Sequence, residues 1–138
     1  MISTKGRYAV RVLVDLAGCE DGDFVPLRDV AERQQISEKY LQRISRQLVD
    51  AGILEGIRGK GGGYRLAKPA NEICVYDVLE AAEGTLAPVA CLADGAPACE
   101  RADLCKTLPL WEQFYANVRE LFGSVSIADL AEGAIDCV

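Results

Sequence analysis

Three cysteines lie close together in the second half of the chain, at Cys91, Cys99 and Cys105. Seven residues separate the first pair and five separate the second. Thiolates are the ligands that iron-sulfur clusters require, and a flexible segment wraps several of them around one cluster more easily than a rigid element does. The C-x2-C pairs of most zinc sites are absent, and three thiols leave a tetrahedral zinc site one ligand short. The spacing therefore favours an iron-sulfur site, with three unmetallated thiols as the alternative.

The 138-residue sequence contains no histidine. Ser-His and Cys-His catalytic pairs and imidazole metal ligands are thereby excluded, so we do not expect an enzyme. The N-terminal segment is amphipathic rather than uniformly apolar, which predicts a cytoplasmic protein without a secretory signal. No apolar stretch approaches the roughly 20 residues that cross a bilayer, so no membrane partner is expected.

The charge is divided unevenly along the chain. Residues 1–70 carry 12 Lys and Arg against 9 Asp and Glu, whereas residues 71–138 carry 3 against 12. The net charge of -6 is thus the sum of a basic first half and an acidic second half. Such a first half can meet phosphate while the acidic half keeps other surfaces away from it.

Helical periodicity dominates the first 52 residues. Apolar residues at three- and four-residue spacing predict a first helix from about Thr4 to Gly18. A short second helix opens at Pro26, and a tight turn follows at residues 34–36. Ser37 is a good N-cap for a third helix that ends before Gly52. The pattern predicts a helix-turn-helix.

A small hairpin follows the third helix. Residues 53–57 and 64–66 are brief strand candidates, and the loop between them places four glycines around Arg58 and Lys60. A short helix at 75–82 then ends at Gly84. We therefore predict a mostly α fold with a small β-hairpin wing, in which residues 1–83 form a winged helix-turn-helix DNA-binding domain.

The remaining chain divides into a loop and a long helix. Residues 84–106 have no periodicity and form the cysteine-bearing sensor loop. Residues 107–138 open with a regular apolar stripe, which predicts a dimerisation helix; a helix packed within one chain is the alternative. In the C-terminal segment that follows, Ser126-Ile127-Ala128-Asp129 resembles a capping box and predicts a last short helix. The stripe comprises Trp111, Phe114, Tyr115, Val118, Leu121 and Phe122.

Duplex DNA is the partner that this arrangement fits. A helix fills the major groove, and a narrow glycine-flanked loop enters the minor groove or follows the phosphates. A helix-turn-helix that never contacts DNA is the alternative interpretation. The candidate DNA-binding residues are Ser37, Lys39, Tyr40, Gln42, Arg43 and Arg46 of the third helix and Arg58 and Lys60 of the wing.

Several short motifs make the resemblance to a known family specific. They are Lys5-Gly6-Arg7-Tyr8-Ala9-Val10, Val25-Pro26-Leu27, Ile36-Ser37 with Tyr40-Leu41, and Arg58-Gly59-Lys60-Gly61-Gly62-Gly63-Tyr64. The chain resembles the Rrf2 family of bacterial winged-helix regulators, especially its cluster-binding members. The resemblance implies a homodimer on a pseudo-palindromic operator, with Ser37, Tyr40 and Gln42 at the major groove and Arg58 in the minor groove. Gln42 stands where those members carry a glutamate that helps to choose among operator classes.

The same resemblance implies that Cys91, Cys99 and Cys105 bind an iron-sulfur cluster, with 2Fe-2S as the expected form and 4Fe-4S as the alternative. Family members space these cysteines five residues apart, so the first gap here is longer. The histidine ligand of some members is replaced by Leu108, and the carboxylate of others by Tyr8. The fourth ligand stays open among the following groups. They are Asp94, Glu100, Asp103, Thr107, Cys19, Cys74 and Cys137.

The expected function is a homodimeric DNA-binding transcription regulator, acting as a repressor, that senses iron-sulfur or redox status through the cluster. One alternative is a winged-helix regulator without a cluster, controlled by free-thiol chemistry or by a protein partner. An iron-sulfur electron-transfer protein is the alternative from another class, and the basic wing argues against it.

Overall fold

The computed structural model of the chain describes residues 2–19 and 22–135. They are mostly helical, with one two-stranded antiparallel sheet, which confirms the predicted fold class. The helices are α1 (Thr4–Ala17), α2 (Leu27–Gln34), α3 (Glu38–Asp50), α4 (Val75–Glu83), α5 (Leu108–Gly123) and α6 (Ile127–Ala131), and the strands are β1 (Leu54–Ile57) and β2 (Gly63–Leu66). No helix among these residues is both long and apolar enough to span a membrane.

A single apolar core joins the first four helices, and α1 contributes its central stripe. Leu13 of α1, Leu41 and Leu48 of α3 and Val78 of α4 are completely or almost completely buried. These side chains recur at the spacing of one helical face, so each helix turns its apolar side inward and leaves its polar side to solvent. The core therefore fixes which face of α3 is exposed.

The turn between α2 and α3 has the geometry that the sequence predicts. Gln35 adopts a left-handed conformation with a φ of 55°, which reverses the chain within a few residues. Ser37 then caps α3, because its hydroxyl accepts a hydrogen bond from the Tyr40 amide at 3.4 Å. The helix-turn-helix is confirmed.

The carboxylate of Asp15 fastens this turn to α1. Its side chain is only 5% exposed. It accepts hydrogen bonds from the Arg33 guanidinium at 2.6 Å and from the side-chain amide of Gln34 at 2.9 Å. One turn earlier in α1, Arg11 donates to the side chain and the backbone carbonyl of Gln34. The hydrogen bond to Asp15 raises the pKa of Arg33, so the guanidinium stays protonated.

The wing is anchored to the strand-like segment before α2. Val25 and Tyr64 exchange both backbone hydrogen bonds at 2.9 Å, so the segment at Val25 pairs with the edge of the hairpin as a third, very short strand. Gly63 passes so close to this segment that a Cβ there would lie 2.2 Å from the Val25 carbonyl oxygen. Only glycine fits at this approach, so the hairpin is held at one distance from the helices.

Helix α4 packs along α1 and binds its N-terminus through Glu83. The carboxylate of Glu83 accepts hydrogen bonds from the Ser3 amide at 2.8 Å, the Ser3 hydroxyl at 2.7 Å and the Gly6 amide at 3.0 Å. Partial burial opposes ionisation of this group, but the hydrogen bonds from Ser3 and Gly6 outweigh it and lower the pKa of Glu83.

The C-terminal helices return to this core. The loop at 84–107 is irregular, apart from a turn of 3-10 helix at Ala90–Leu92. After α5, the Val75 amide donates to the Val125 carbonyl at 2.9 Å, and the Ile127 side chain of α6 is fully buried. The capping box predicted at Ser126 is present and starts α6.

We expect Glu83→Gln to lower the free energy of unfolding at neutral pH by about 1 kcal/mol, because hydrogen bonds to a charged acceptor are stronger than those to an amide. A carboxylate whose folded pKa is depressed stabilises the protein above its ordinary pKa of 4.5, and this contribution is lost as the pH falls through the lower folded pKa. Urea unfolding should therefore show the two proteins converging in acid. The exposed Glu72 provides the control substitution, and a difference that persisted at every pH would contradict this assignment.

Candidate nucleic-acid interface

The exposed face of α3 and the hairpin enclose a groove of about 1000 Å³. Five of the predicted DNA-binding residues line it together, four from α3 and one from the wing. They are Tyr40, Gln42, Arg43, Arg46 and Arg58. The core positions them, since Ile44 and Leu48 on the opposite side of α3 are buried.

A smaller depression of about 590 Å³ lies between the start of α2, the first turn of α3 and the wing. Its walls include Arg28, Glu38 and the wing glycines, and Gln42 lines both this depression and the larger groove. The Gln42 side chain is exposed and forms no hydrogen bond with another described residue. Its amide can therefore act as both donor and acceptor toward a ligand.

The remaining predicted residues lie around these grooves. Lys39 of α3 and Lys60 of the wing tip are exposed but line neither depression. Ser37 is exposed and uses its oxygen to cap α3, which leaves its hydroxyl proton for a further bond. Tyr40 is half-buried, with its ring edge-on to Tyr8 at 5.7 Å between centroids.

The cations of this surface are not among the arginines that ion pairs hold in place. Arg33, Arg65 and Arg119 are each paired with a carboxylate, at 2.6, 2.9 and 3.8 Å. Within residues 2–19 and 22–135, the cations of α3 and the wing form no ion pair, although they are exposed. They are Lys39, Arg43, Arg46, Arg58 and Lys60. An anionic ligand can therefore reach them without displacing an internal partner.

Two further cations belong to the same surface, and the sequence alone did not identify them. Lys5 lines the larger groove and Arg28 the smaller one. Both residues come before the turn between α2 and α3 in the sequence. Their position beside α3 therefore depends on how α1 and α2 pack against that helix. Only their charge and their position near a helix start were visible in the sequence.

The three loop cysteines are accessible but separate. Cys91 and Cys99 are exposed, and Cys105 is half-buried with its sulfur 3.4 Å from the Thr107 hydroxyl. That hydrogen bond, together with the Thr107 amide, lowers the pKa of the Cys105 thiol and favours the thiolate. Within the described residues, no three His, Cys, Asp or Glu side chains are gathered as a metal site. The thiols fit an iron-sulfur cluster in chemistry, and the loop would have to close around it.

The open candidates for a fourth ligand have different surroundings. Thr107 contacts Cys105, whereas Asp94 faces Arg119. Cys74 lies at the start of α4, and burial raises the pKa of its thiol. Tyr8 is engaged with Tyr40 and Arg11, and Cys137 lies outside the described residues. Among the candidates within residues 2–19 and 22–135, Thr107 is the one whose side chain forms a hydrogen bond with a loop thiol.

A polar cluster joins the cysteine loop to the helical core. Arg119 of α5 pairs with Asp94 of the loop and stacks over the Tyr115 ring at 4.0 Å. The Tyr115 hydroxyl lies 3.2 Å from the Tyr76 hydroxyl of α4. Burial, and then the hydrogen bond with Tyr115, raise the pKa of Tyr76 to about 12, so the Tyr76 hydroxyl stays protonated.

The apolar stripe of α5 is divided between two environments. Tyr115 and Val118 are buried within the chain, at 6% and 9% exposure. In contrast, Phe114 is 41% exposed and Leu121 is 58% exposed. Leu110 and Trp111 extend this second, uncovered face. The helix therefore packs within the chain through one side only.

Comparison with known proteins agrees with this architecture. The family model Rrf2, described as an iron-dependent transcriptional regulator, matches residues 2–133. The HTH-type transcriptional regulator IscR of Xenorhabdus nematophila is 34% identical, over 95% of this chain and 79% of its own. IscR of Photorhabdus laumondii is 36% identical, over 94% and 77%.

Two solved structures cover nearly the whole chain. CymR, the global cysteine regulator of B. subtilis, superposes with a TM-score of 0.79 at 31% identity, over 99% of this chain and 98% of that one. T. potens IscR superposes with a TM-score of 0.77 at 32% identity, over 98% and 88%. The predicted winged helix is confirmed by both likenesses. With its winged helix, its unpaired cations and these relatives, the chain belongs to the Rrf2 family of DNA-binding transcription regulators, which are not enzymes.

Proposed function

We propose that the chain reads a pseudo-palindromic operator with α3 in the major groove and the wing in the minor groove. The observation that carries this proposal is the set of exposed, unpaired cations bordering one groove between α3 and the hairpin. Gln42 supplies an amide that can bond base edges, and Arg58 sits at the start of the narrow wing loop. Phosphate contacts by the other cations supply most of the affinity.

Selection from a randomised duplex library should enrich an operator with two related half-sites. On that operator, we expect Arg58→Ala to weaken binding about tenfold, because the negative potential of a narrow minor groove attracts an arginine inserted into it. The matched control is Lys68→Gln, which removes an exposed cation that lies outside both grooves. Failure to enrich any sequence, or equal losses for the two variants, would refute this assignment.

The exposed side of α5 fits a second copy of the chain. Leu110, Phe114 and Leu121 are large apolar groups on one helix that the described residues leave uncovered. A contiguous exposed apolar face on a helix is a common mark of an interface. A homodimer also suits an operator with two half-sites, since each copy presents one α3. We propose α5 as the centre of the dimer interface.

We expect the double substitution Phe114→Asp and Leu121→Asp to give monomers, because it would place two charges in an apolar interface. Light scattering should show the mass of the chain halved, while circular dichroism stays unchanged. Tyr115 is unsuitable for this test, since it is buried within the chain. Glu112→Ala on the same helix is the control, and an unaltered mass in the double variant would argue against this interface.

We propose that Cys91, Cys99 and Cys105 hold an iron-sulfur cluster, with 2Fe-2S as the expected form. Three accessible thiols in an irregular loop, one with a lowered pKa, support it. A bound cluster supplies a redox-active centre with negative charge. Closing the loop would move Asp94 relative to Arg119, which connects this carboxylate to Tyr115 and, through the Tyr115 hydroxyl, to Tyr76 of α4. The residues of the chain thus offer a route from loop closure to the DNA-binding half.

Anaerobically purified protein should be brown and contain iron and sulfide. We expect Cys91→Ala, Cys99→Ala and Cys105→Ala each to lose this iron, and to bind the operator as the cluster-free protein does. Cys19→Ala and Cys74→Ala test two of the open fourth ligands: a variant that lacks this ligand should also lose iron, and a variant that keeps the colour excludes its thiol. A colourless, iron-free wild type whose DNA binding still responds to thiol oxidation would favour the alternative regulator controlled by free thiols.

A further inference from the structure

Two cations that belong neither to α3 nor to the wing border the proposed DNA surface. Lys5 of α1 shares the larger groove with Arg43 and Arg46 of α3. Arg28 of α2 shares the smaller depression with Gln42 and the wing glycines. Both side chains are exposed, and neither forms an ion pair within the described part of the chain. They therefore resemble the proposed DNA contacts rather than the structural cations of the fold.

The two cations lie in different depressions that both border α3. The groove that Lys5 lines extends along α3 from Tyr40 to Asp50, whereas the depression that Arg28 lines is bounded by Glu38 and Gln42 near the start of α3. A helix in the major groove is flanked by phosphates of both strands, and contacts to them fix its register and depth. A cation in each depression would therefore hold the helix at two points.

Lys5 is held at its place by Glu83. The Glu83 carboxylate accepts hydrogen bonds from both sides of Lys5. The donors are the Gly6 amide at 3.0 Å and the amide and hydroxyl of Ser3 at 2.8 and 2.7 Å. The Lys5 amide itself donates to the Ser3 hydroxyl at 3.2 Å. At Gly6 a Cβ would lie 2.5 Å from the Glu83 oxygen, so the carboxylate lies directly against the backbone of this first turn. The backbone beneath Lys5 is thus fixed, while its ammonium is not paired with this carboxylate.

We propose that Lys5 and Arg28 bind backbone phosphates of the same duplex that α3 reads, and that Glu83 is the positioning residue for Lys5. This inference rests on the proposed DNA-binding function. It adds contacts that carry no sequence information, because a phosphate is the same in every base pair. Their contribution is an affinity shared by operator and unrelated DNA.

The test measures dissociation constants on the selected operator and on an unrelated duplex of equal length, across a series of salt concentrations. Each of Lys5→Gln and Arg28→Gln should weaken both complexes by the same factor, on the order of fivefold, and reduce the slope of log K against log salt by about 0.9. Lys68→Gln is the matched control and should leave the slope unchanged. If wild type binds with a steep slope that neither variant alters, the inference is overturned while the proposed function stands. If wild type binds no duplex, both are overturned.

Glu83 is tested in a double-mutant cycle with Lys5. We expect Glu83→Gln to reduce the salt slope in the wild-type background and to have no further effect on it in Lys5→Gln. If Glu83 only stabilised the fold, Glu83→Gln would weaken DNA binding by the same factor in both backgrounds and would leave the salt slope of each background unchanged. Circular dichroism verifies that every variant is folded at the assay temperature. If the double variant lost the sum of the two single reductions in salt slope, the positioning role of Glu83 would be overturned.

Discussion

The angle at which α3 is presented depends on the Asp15 carboxylate. A turn of three residues between two helices has several accessible conformations, and Gln35 alone would not select one of them. Asp15 reaches from α1 to Arg33 and Gln34, and Arg11 closes the same network from one turn earlier. The turn is therefore fixed to α1. Because the carboxylate is buried, loss of Arg33 would leave its charge uncompensated, and loss of Gln34 would remove its second side-chain donor.

The charged residues of the chain divide into two groups with different roles. Arg33 pairs with Asp15 and holds α2 to α1, and Arg65 pairs with Glu55 across the hairpin. In contrast, the cations of α3 and the wing are exposed to solvent. The acidic second half supplies the groups that bind α1 and the loop, through Glu83 and Asp94. A net charge of -6 is therefore compatible with a nucleic-acid partner, since the sign of the local surface rather than of the whole chain decides the attraction.

Features that a few neighbouring residues encode were predictable from the sequence. The cap at Ser37, the glycine stop after α3 and the capping box at Ser126 all act through local hydrogen bonds or a single backbone conformation, and each is where the pattern places it. The side of α5 that faces the core was not predictable, because Phe114 and Tyr115 are equally apolar in sequence and only tertiary packing separates them. The same reason hid Lys5 and Arg28. The cysteine spacing indicates a ligand set but not how a loop without periodicity would bring it together.

The close approach of Gly63 to the Val25 carbonyl has a consequence for how such a protein diversifies. Because no side chain fits at that point, the start of β2 keeps its distance from the segment before α2 unless one of the two backbones is rebuilt. Substitutions at exposed positions of α3 and the wing therefore alter the chemistry of this surface and leave the hairpin where it is. On the proposed DNA-binding function, such a protein would acquire new target sequences by exchanging side chains rather than by moving the hairpin.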